Sequence, residues 1–164
     1  MIILGIDPGY AIVGFGIIEK IGNSVRAIDY GVITTDKNEK FPDRLIKIYA
    51  SLETIIDKYK PDAFAIEELF FQNNQKTAID VAQARGVAVL CAKQKIGNLY
   101  EYTPLQIKQA LTGQGRADKH QVQFMVKAML NLTSIPKPDD AADALAVAIT
   151  HSQTNQFLGQ NNIR

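Results

Sequence analysis

The sequence predicts an α/β fold in which a mixed sheet carries helices on its faces. Three observations point to it. Two short segments, the continuous apolar run 2–6 and residues 63–67, apolar up to a closing Glu67, fit buried strands. Residues 12–18 and 25–33 are further strand-like segments joined by the turn Ile21-Gly22-Asn23-Ser24, which makes the first three strands an antiparallel meander. The longer stretches between and after them place apolar residues at helical spacing. The resulting order, βββ-α-β-α-β-α-α-α, belongs to the α/β class.

The elements follow in chain order. Pro8-Gly9 closes the first strand. Leu45, Ile48, Tyr49, Leu52, Ile55, Ile56 and Tyr59 trace one face of a helix over about 41–60, and Pro61-Asp62 stops it. After the strand at 63–67, a second helix spans about 75–95. Its small residues Ala78, Ala82, Ala84, Gly86 and Ala88 permit close packing. Residues 99–102 form the last strand. Helices over about 104–111 and 119–131 flank the glycine-containing loop Thr112-Gly113-Gln114-Gly115-Arg116. A final helix covers about 139–153, with Asp139 or Asp140 as its N-cap and Pro138 just outside. Beyond residue 152 the chain turns polar, so the expected organisation is one domain over 1–152 and a flexible tail over 153–164.

Composition limits the function classes. The chain has 164 residues, enough for one substantial core, and its 46% hydrophobic and 21% charged content is that of a soluble globular protein. No apolar run approaches the roughly 18–20 residues of a membrane span. Met1 to Asp7 lacks a basic region and meets an acid early, so it reads as a strand and not as a signal peptide. The single cysteine, Cys91, makes no internal disulfide, which points to a reducing cytoplasm. One Cys and two His argue against structural zinc. Net charge is only +1, but residues 93–130 carry 6 Lys and Arg against 2 acids. This segment is either a phosphate-binding face beside a metal cleft or a set of solvated helix charges.

Four carboxylates carry the chemistry. Asp7 and Glu67 each end an apolar strand, where a charge is costly to bury unless it is paired or binds a cation. Sites in open α/β sheets form at these carboxyl ends. Asp140 and Asp143 lie three residues apart on one helix face. An oxygen-rich, highly charged cluster suits Mg²⁺ or Mn²⁺, and two such ions can activate a water and stabilise the leaving oxygen of a phosphodiester. Each acid also has a plain structural reading: turn chemistry for Asp7-Pro8-Gly9, N-capping for Asp139 or Asp140, surface exposure for Glu67 and Glu68. Nothing competes for the chemistry. Gly113-Gln114-Gly115 is followed by Arg116-Ala117 and lacks the Lys-Ser/Thr of a nucleotide-binding loop.

Five segments in register resemble the RuvC family of bacterial Holliday-junction resolvases. They are Ile3-Leu4-Gly5-Ile6-Asp7-Pro8-Gly9; Ala65-Ile66-Glu67 followed by Phe70; Gln83-Ala84-Arg85-Gly86-Val87; Gly113-Gln114-Gly115-Arg116-Ala117-Asp118-Lys119; and Asp140-Ala141-Ala142-Asp143-Ala144-Leu145-Ala146 with Ile149-Thr150-His151. The match runs from about residue 2 to 152. The resemblance implies an RNase H-like mixed five-stranded sheet flanked by helices. It also implies a cytoplasmic homodimer that nicks two strands of like polarity in a four-way DNA junction, leaving 5′-phosphate and 3′-hydroxyl ends. A RuvA–RuvB branch-migration complex is the implied partner.

By the same resemblance, Asp7, Glu67, Asp140 and Asp143 are the catalytic metal ligands, holding two Mg²⁺ ions with Mn²⁺ as a substitute. Phe70 stacks on an unpaired base, Lys108 and Lys119 stand near the scissile phosphate, and Arg116 belongs to the junction-binding loop. Arg85 is assigned to packing or to the dimer. Two acids depart from the pattern. Glu68 should face away from Glu67 and is not taken as a ligand, and Asp139 precedes the Asp140–Asp143 pair. His151 reads as a satisfied surface or core histidine. Three alternatives stay open: an ATPase of the actin/Hsp70 superfamily, a non-catalytic DNA-binding module, and a related RNase H-like nuclease with another substrate.

Overall fold

The structure, a computed structural model, describes residues 1–69, 75–154 and 161–163. The elements are β1 (Ile2–Asp7), β2 (Ile12–Ile21), β3 (Ser24–Thr34), α1 (Phe41–Tyr59), β4 (Ala63–Glu67), α2 (Gln75–Lys95), β5 (Leu99–Tyr102), α3 (Pro104–Thr112), α4 (Lys119–Met129) and α5 (Asp139–Gln153). They form one sheet in the order β3-β2-β1-β4-β5. β2 pairs antiparallel with both β1 and β3, whereas β1, β4 and β5 pair in parallel. One strand therefore runs against the other four, with β1 at the centre. This is the mixed five-stranded RNase H-like sheet.

The apolar runs bury because both sheet faces are covered. Leu4 and Ile6 of β1, with Phe64 and Ile66 of β4, pack on the side of α1 and α2. Ile3 and Ala65 pack on the side of α3, α4 and α5. Each fully buried Leu or Ile contributes roughly 1.5–3 kcal/mol relative to exposure. Strand alternation then decides where the acids point: Gly5 and Asp7 share the face of Ile3, and Glu67 shares the face of Ala65.

That face belongs to α5. Between Ala141 and Ser152, Asp143 alone is not fully buried. The helix lies unusually close to the sheet, and glycines allow it. A Cβ on Gly14 would collide with the Asp140 carbonyl oxygen and stand 3.2 Å from the Asp7 Cβ; one on Gly16 would come within 2.8 Å of the Leu145 side chain. Gly14 is the register partner of Asp7, and Gly16 of Gly5. The seat of α5 and the acid of β1 are thus built into paired positions of neighbouring strands.

Three boundaries differ from expectation. β2 runs on to Ile21 because its ladder with β3 continues to Ser24. α4 ends at Met129, shortly before Asn131 turns to φ 51°. Neither Asp139 nor Asp140 caps α5: the N-cap is Pro138, and both acids lie in the first turn, where the helix N-terminus favours negative charge. The polar end of the chain is not free throughout. β5 is an edge strand whose backbone groups need partners. The Glu101 N–H donates to the Asn161 carbonyl at 2.8 Å, the Ile163 N–H donates to the Leu99 carbonyl at 3.1 Å, and Gln106 Nε2 donates to Asn161 Oδ1 at 3.1 Å.

Candidate active site

Asp7 and Glu67 stand at the carboxyl ends of adjacent parallel strands, each one residue beyond the paired Ile6 and Ile66. The loop that follows Asp7 is clamped from outside. Thr35 Oγ1 donates to the Tyr10 carbonyl at 2.6 Å, buried Arg44 donates to Thr35 Oγ1 at 2.8 Å, and the Arg44 guanidinium lies 4.6 Å over the Tyr10 ring. Asp140 and Asp143 arrive from above on the first turns of α5.

The four acids share one electrostatic field. Burial first, then the charges of Glu67, Asp143 and Asp140, push the Asp7 carboxyl up from 3.8 to about 8, against an opposing pull from Lys119. Burial and the Asp143 charge push Glu67 up from 4.5 to about 7, opposed by Lys119 and Lys108. Burial also raises Asp143, against Lys119. Such shifts mark a set of anions with too little positive charge nearby.

Two lysines lean into this field from helices with capped starts. A capping box fixes the first turn of α4, where the Gln121 N–H donates to Asp118 Oδ1 at 2.8 Å and the Asp118 N–H donates to Gln121 Oε1 at 2.9 Å. Lys119 follows at once, with Nζ 3.0 Å from Asp143 Oδ2. Thr103 and Gln106 form the same device at the start of α3, which carries Lys108. Glu67, Lys108, Lys119 and Asp143 line a cleft of ≈ 260 Å³ floored by Ile107, Val122 and Ala146. Two larger hollows, beside Tyr100 and beside Lys20, contain none of the four acids, so size does not mark the site.

The acids do not close on a single point. Among the described residues, no group of three Asp, Glu, His or Cys side chains is arranged to hold a metal ion as it stands. Lys119 lies against one of the acids, with Nζ beside Asp143 Oδ2. The donor set is nevertheless hard oxygen only, buried and short of positive charge, which is the chemistry a divalent cation answers.

Other expected residues lie elsewhere. Arg116 is exposed on the loop between α3 and α4. Phe70 falls outside the described residues. Glu68 is exposed just past β4. Arg85 pairs with Glu101 on β5 at 2.7 Å. His151 is fully buried; its Nδ1 is 2.7 Å from the Tyr102 hydroxyl, and burial lowers it to about 4, so it is a neutral core residue. Sequence reasoning missed the lysine contacts of Asp139. Their one signal is the four-residue spacing between Asp139 and Asp143, which puts both on one helix edge.

Comparison with known proteins gives a consistent family. The family model described as crossover junction endodeoxyribonuclease RuvC matches residues 3–151. The crossover junction endodeoxyribonuclease RuvC of Alkaliphilus oremlandii is 59% identical over 164 residues, covering 100% of both chains. Among solved structures, Thermus thermophilus RuvC superposes with a TM-score of 0.89 at 34% identity, covering 99% of this chain and 100% of that one. The same protein in complex with Holliday junction substrate gives 0.89 at 32% identity, with the same coverage.

Proposed function

The chain belongs to the RuvC family of crossover junction endodeoxyribonucleases, so Holliday-junction resolution is its activity, and we propose that it works by paired, symmetric nicks in two strands of like polarity. The observation that carries this reading is the convergence of Asp7, Glu67, Asp140 and Asp143 on one sheet face, with Lys108 and Lys119 at the rim.

Family membership implies a divalent cation, and the all-oxygen anionic cluster fits one. We assign Mg²⁺, two per site and replaceable by Mn²⁺, to these four carboxylates. When bound, the ions would polarise the attacking water and stabilise charge on the leaving 3′-oxygen. The chain's own residues do the rest. The strand ends fix Asp7 and Glu67, the seat of α5 fixes Asp140 and Asp143, and the buried floor limits water. Lys108 and Lys119 hold the scissile phosphate and offset its developing charge. The products are 5′-phosphate and 3′-hydroxyl ends.

Phe70, three residues past Glu67, is assigned to stacking on an unpaired base at the crossover, and Arg116 to a backbone phosphate. A homodimer supplies the second nick. Exposed Ile79 and Leu90 support it, lying three turns apart on one face of α2. Among the described residues no helix is long and apolar enough to cross a membrane. A cytoplasmic location and partnership with a RuvA–RuvB complex complete the reading.

The test is cleavage of a labelled four-way junction in Mg²⁺ beside linear duplex and RNA–DNA hybrid, with EDTA as control. Paired nicks confined to the junction and abolished by EDTA are expected. Cutting of the hybrid alone would assign another substrate, and tight binding without cutting would leave a binding module.

A further inference from the structure

Asp139 stands outside the four-acid cluster, yet it holds two lysines. Its Oδ1 accepts a hydrogen bond from Lys137 Nζ at 2.9 Å, and its Oδ2 stands 3.5 Å from Lys119 Nζ. The same Lys119 Nζ is 3.0 Å from Asp143 Oδ2. Asp139 and Asp143 are one helical turn apart on α5, so their carboxylates flank a single ammonium. The two sides are unequal. The Asp143 side chain is 27% exposed and faces the cleft, whereas that of Asp139 is 44% exposed at its rim. The ammonium therefore bridges an inner acid of the site and an outer acid that is not part of it.

We propose that Asp139 is a positioning residue, a second acceptor that keeps Lys119 beside the cleft when a divalent cation takes Asp143. The inference rests on the metal-dependent reading above. Without an outer acceptor, a cation arriving at Asp143 drives the ammonium into solvent and the ion pair is lost. With Asp139 in place, the flexible lysine stem swings the charge from one carboxylate to the other. Lys119 then stays at the rim, where a DNA phosphate passes. Lys137 grips Asp139 Oδ1 and leaves Oδ2 toward Lys119.

The probe is Mn²⁺ alone, titrated into the full chain without DNA at fixed pH and ionic strength, with free Mn²⁺ followed by electron paramagnetic resonance. Asp139→Asn should weaken Mn²⁺ binding roughly two- to fivefold, the scale of one exposed ion pair, and Asp139→Glu should recover most of it. Lys119→Met should tighten binding, because it removes the competitor for Asp143. In the Lys119→Met background, Asp139→Asn should have no further effect, since the influence runs through the lysine. Equal losses in both backgrounds would reduce Asp139 to plain attraction for the cation and overturn the proposal, as would an unchanged affinity in Asp139→Asn. A wild-type chain that takes up no Mn²⁺ would overturn the metal reading itself, so the two failures are told apart.

Discussion

Asp7 holds its proton more tightly in the folded chain than out of it, because burial and three neighbouring acids all oppose its charge. The sign of the consequence follows by linkage. Its folded value of about 8 lies above the ordinary 3.8, so its contribution to stability is complete below about 3.8, declines as pH rises, and is gone beyond about 8. Glu67 adds the same trend between 4.5 and about 7. The chain in EDTA should therefore lose stability from pH 4 to pH 8, and millimolar Mg²⁺ should flatten the loss. Urea midpoints across that range check it; a stability that rises with pH in EDTA would refute the crowded-anion reading. Asp143→Asn tests the same field from the other side. It removes one anion, so the EDTA-treated variant should be no less stable than wild type at pH 8. It also removes a proposed cation ligand, so junction cleavage in Mg²⁺ should fall by about 100-fold or more, beyond the loss typical of an outer-shell partner. Gain or parity in stability with loss of cutting separates a site acid from a packing acid.

At the scale of elements, the contact that makes the site is a helix lying on glycines. Gly14→Ala pushes against the Asp140 backbone, not against a side chain that can turn away. It should cost roughly 1–3 kcal/mol in stability, as overpacking does. A shift of about 1 Å in Asp140 should cost on the order of 100-fold in cleavage. Gly86 on α2 provides the contrast, since a Cβ there meets nothing within 4 Å. Gly86→Ala should stabilise the protomer by up to about 1 kcal/mol through helix propensity. Thermal melts on both variants and junction cleavage by Gly14→Ala decide the matter, and a Gly14→Ala chain as stable as Gly86→Ala and fully active would deny Gly14 its role. These two glycines also show what the sequence made legible. The strands and helices were readable because apolar spacing follows one element at a time, and Asp7 and Glu67 stood out because each ends an apolar run. The seat of α5 was not readable: Gly14 and Gly16 look like ordinary small residues until β2 lies across from β1. Asp139 looks like a cap in the sequence because helix starts favour acids whether or not they cap. Asn161 and Ile163 look like free tail in the sequence, since composition does not reveal that an edge strand needs hydrogen-bond partners.

For the molecule as a whole, a net charge of +1 understates its attraction for DNA. The excess of Lys and Arg over residues 93–130 is concentrated on α3, α4 and the loop between them, and Lys108 and Lys119 line the cleft. The opposing acids are gathered behind them, where a divalent cation would offset their charge. A junction arm approaching this face meets lysines first, and each neutralised phosphate releases condensed counterions. Affinity should therefore depend on salt far more than net charge suggests. If six or more phosphates are engaged across a dimer, binding should weaken by about 10³-fold between 50 and 200 mM salt. Lys108→Ala should lower the slope of log affinity against log salt by about 1 while leaving sequence preference unchanged. Fluorescence anisotropy with a labelled junction in EDTA measures both without cleavage. A slope near zero, or one that Lys108→Ala does not alter, would place the DNA on another face and detach the cleft lysines from the scissile phosphate.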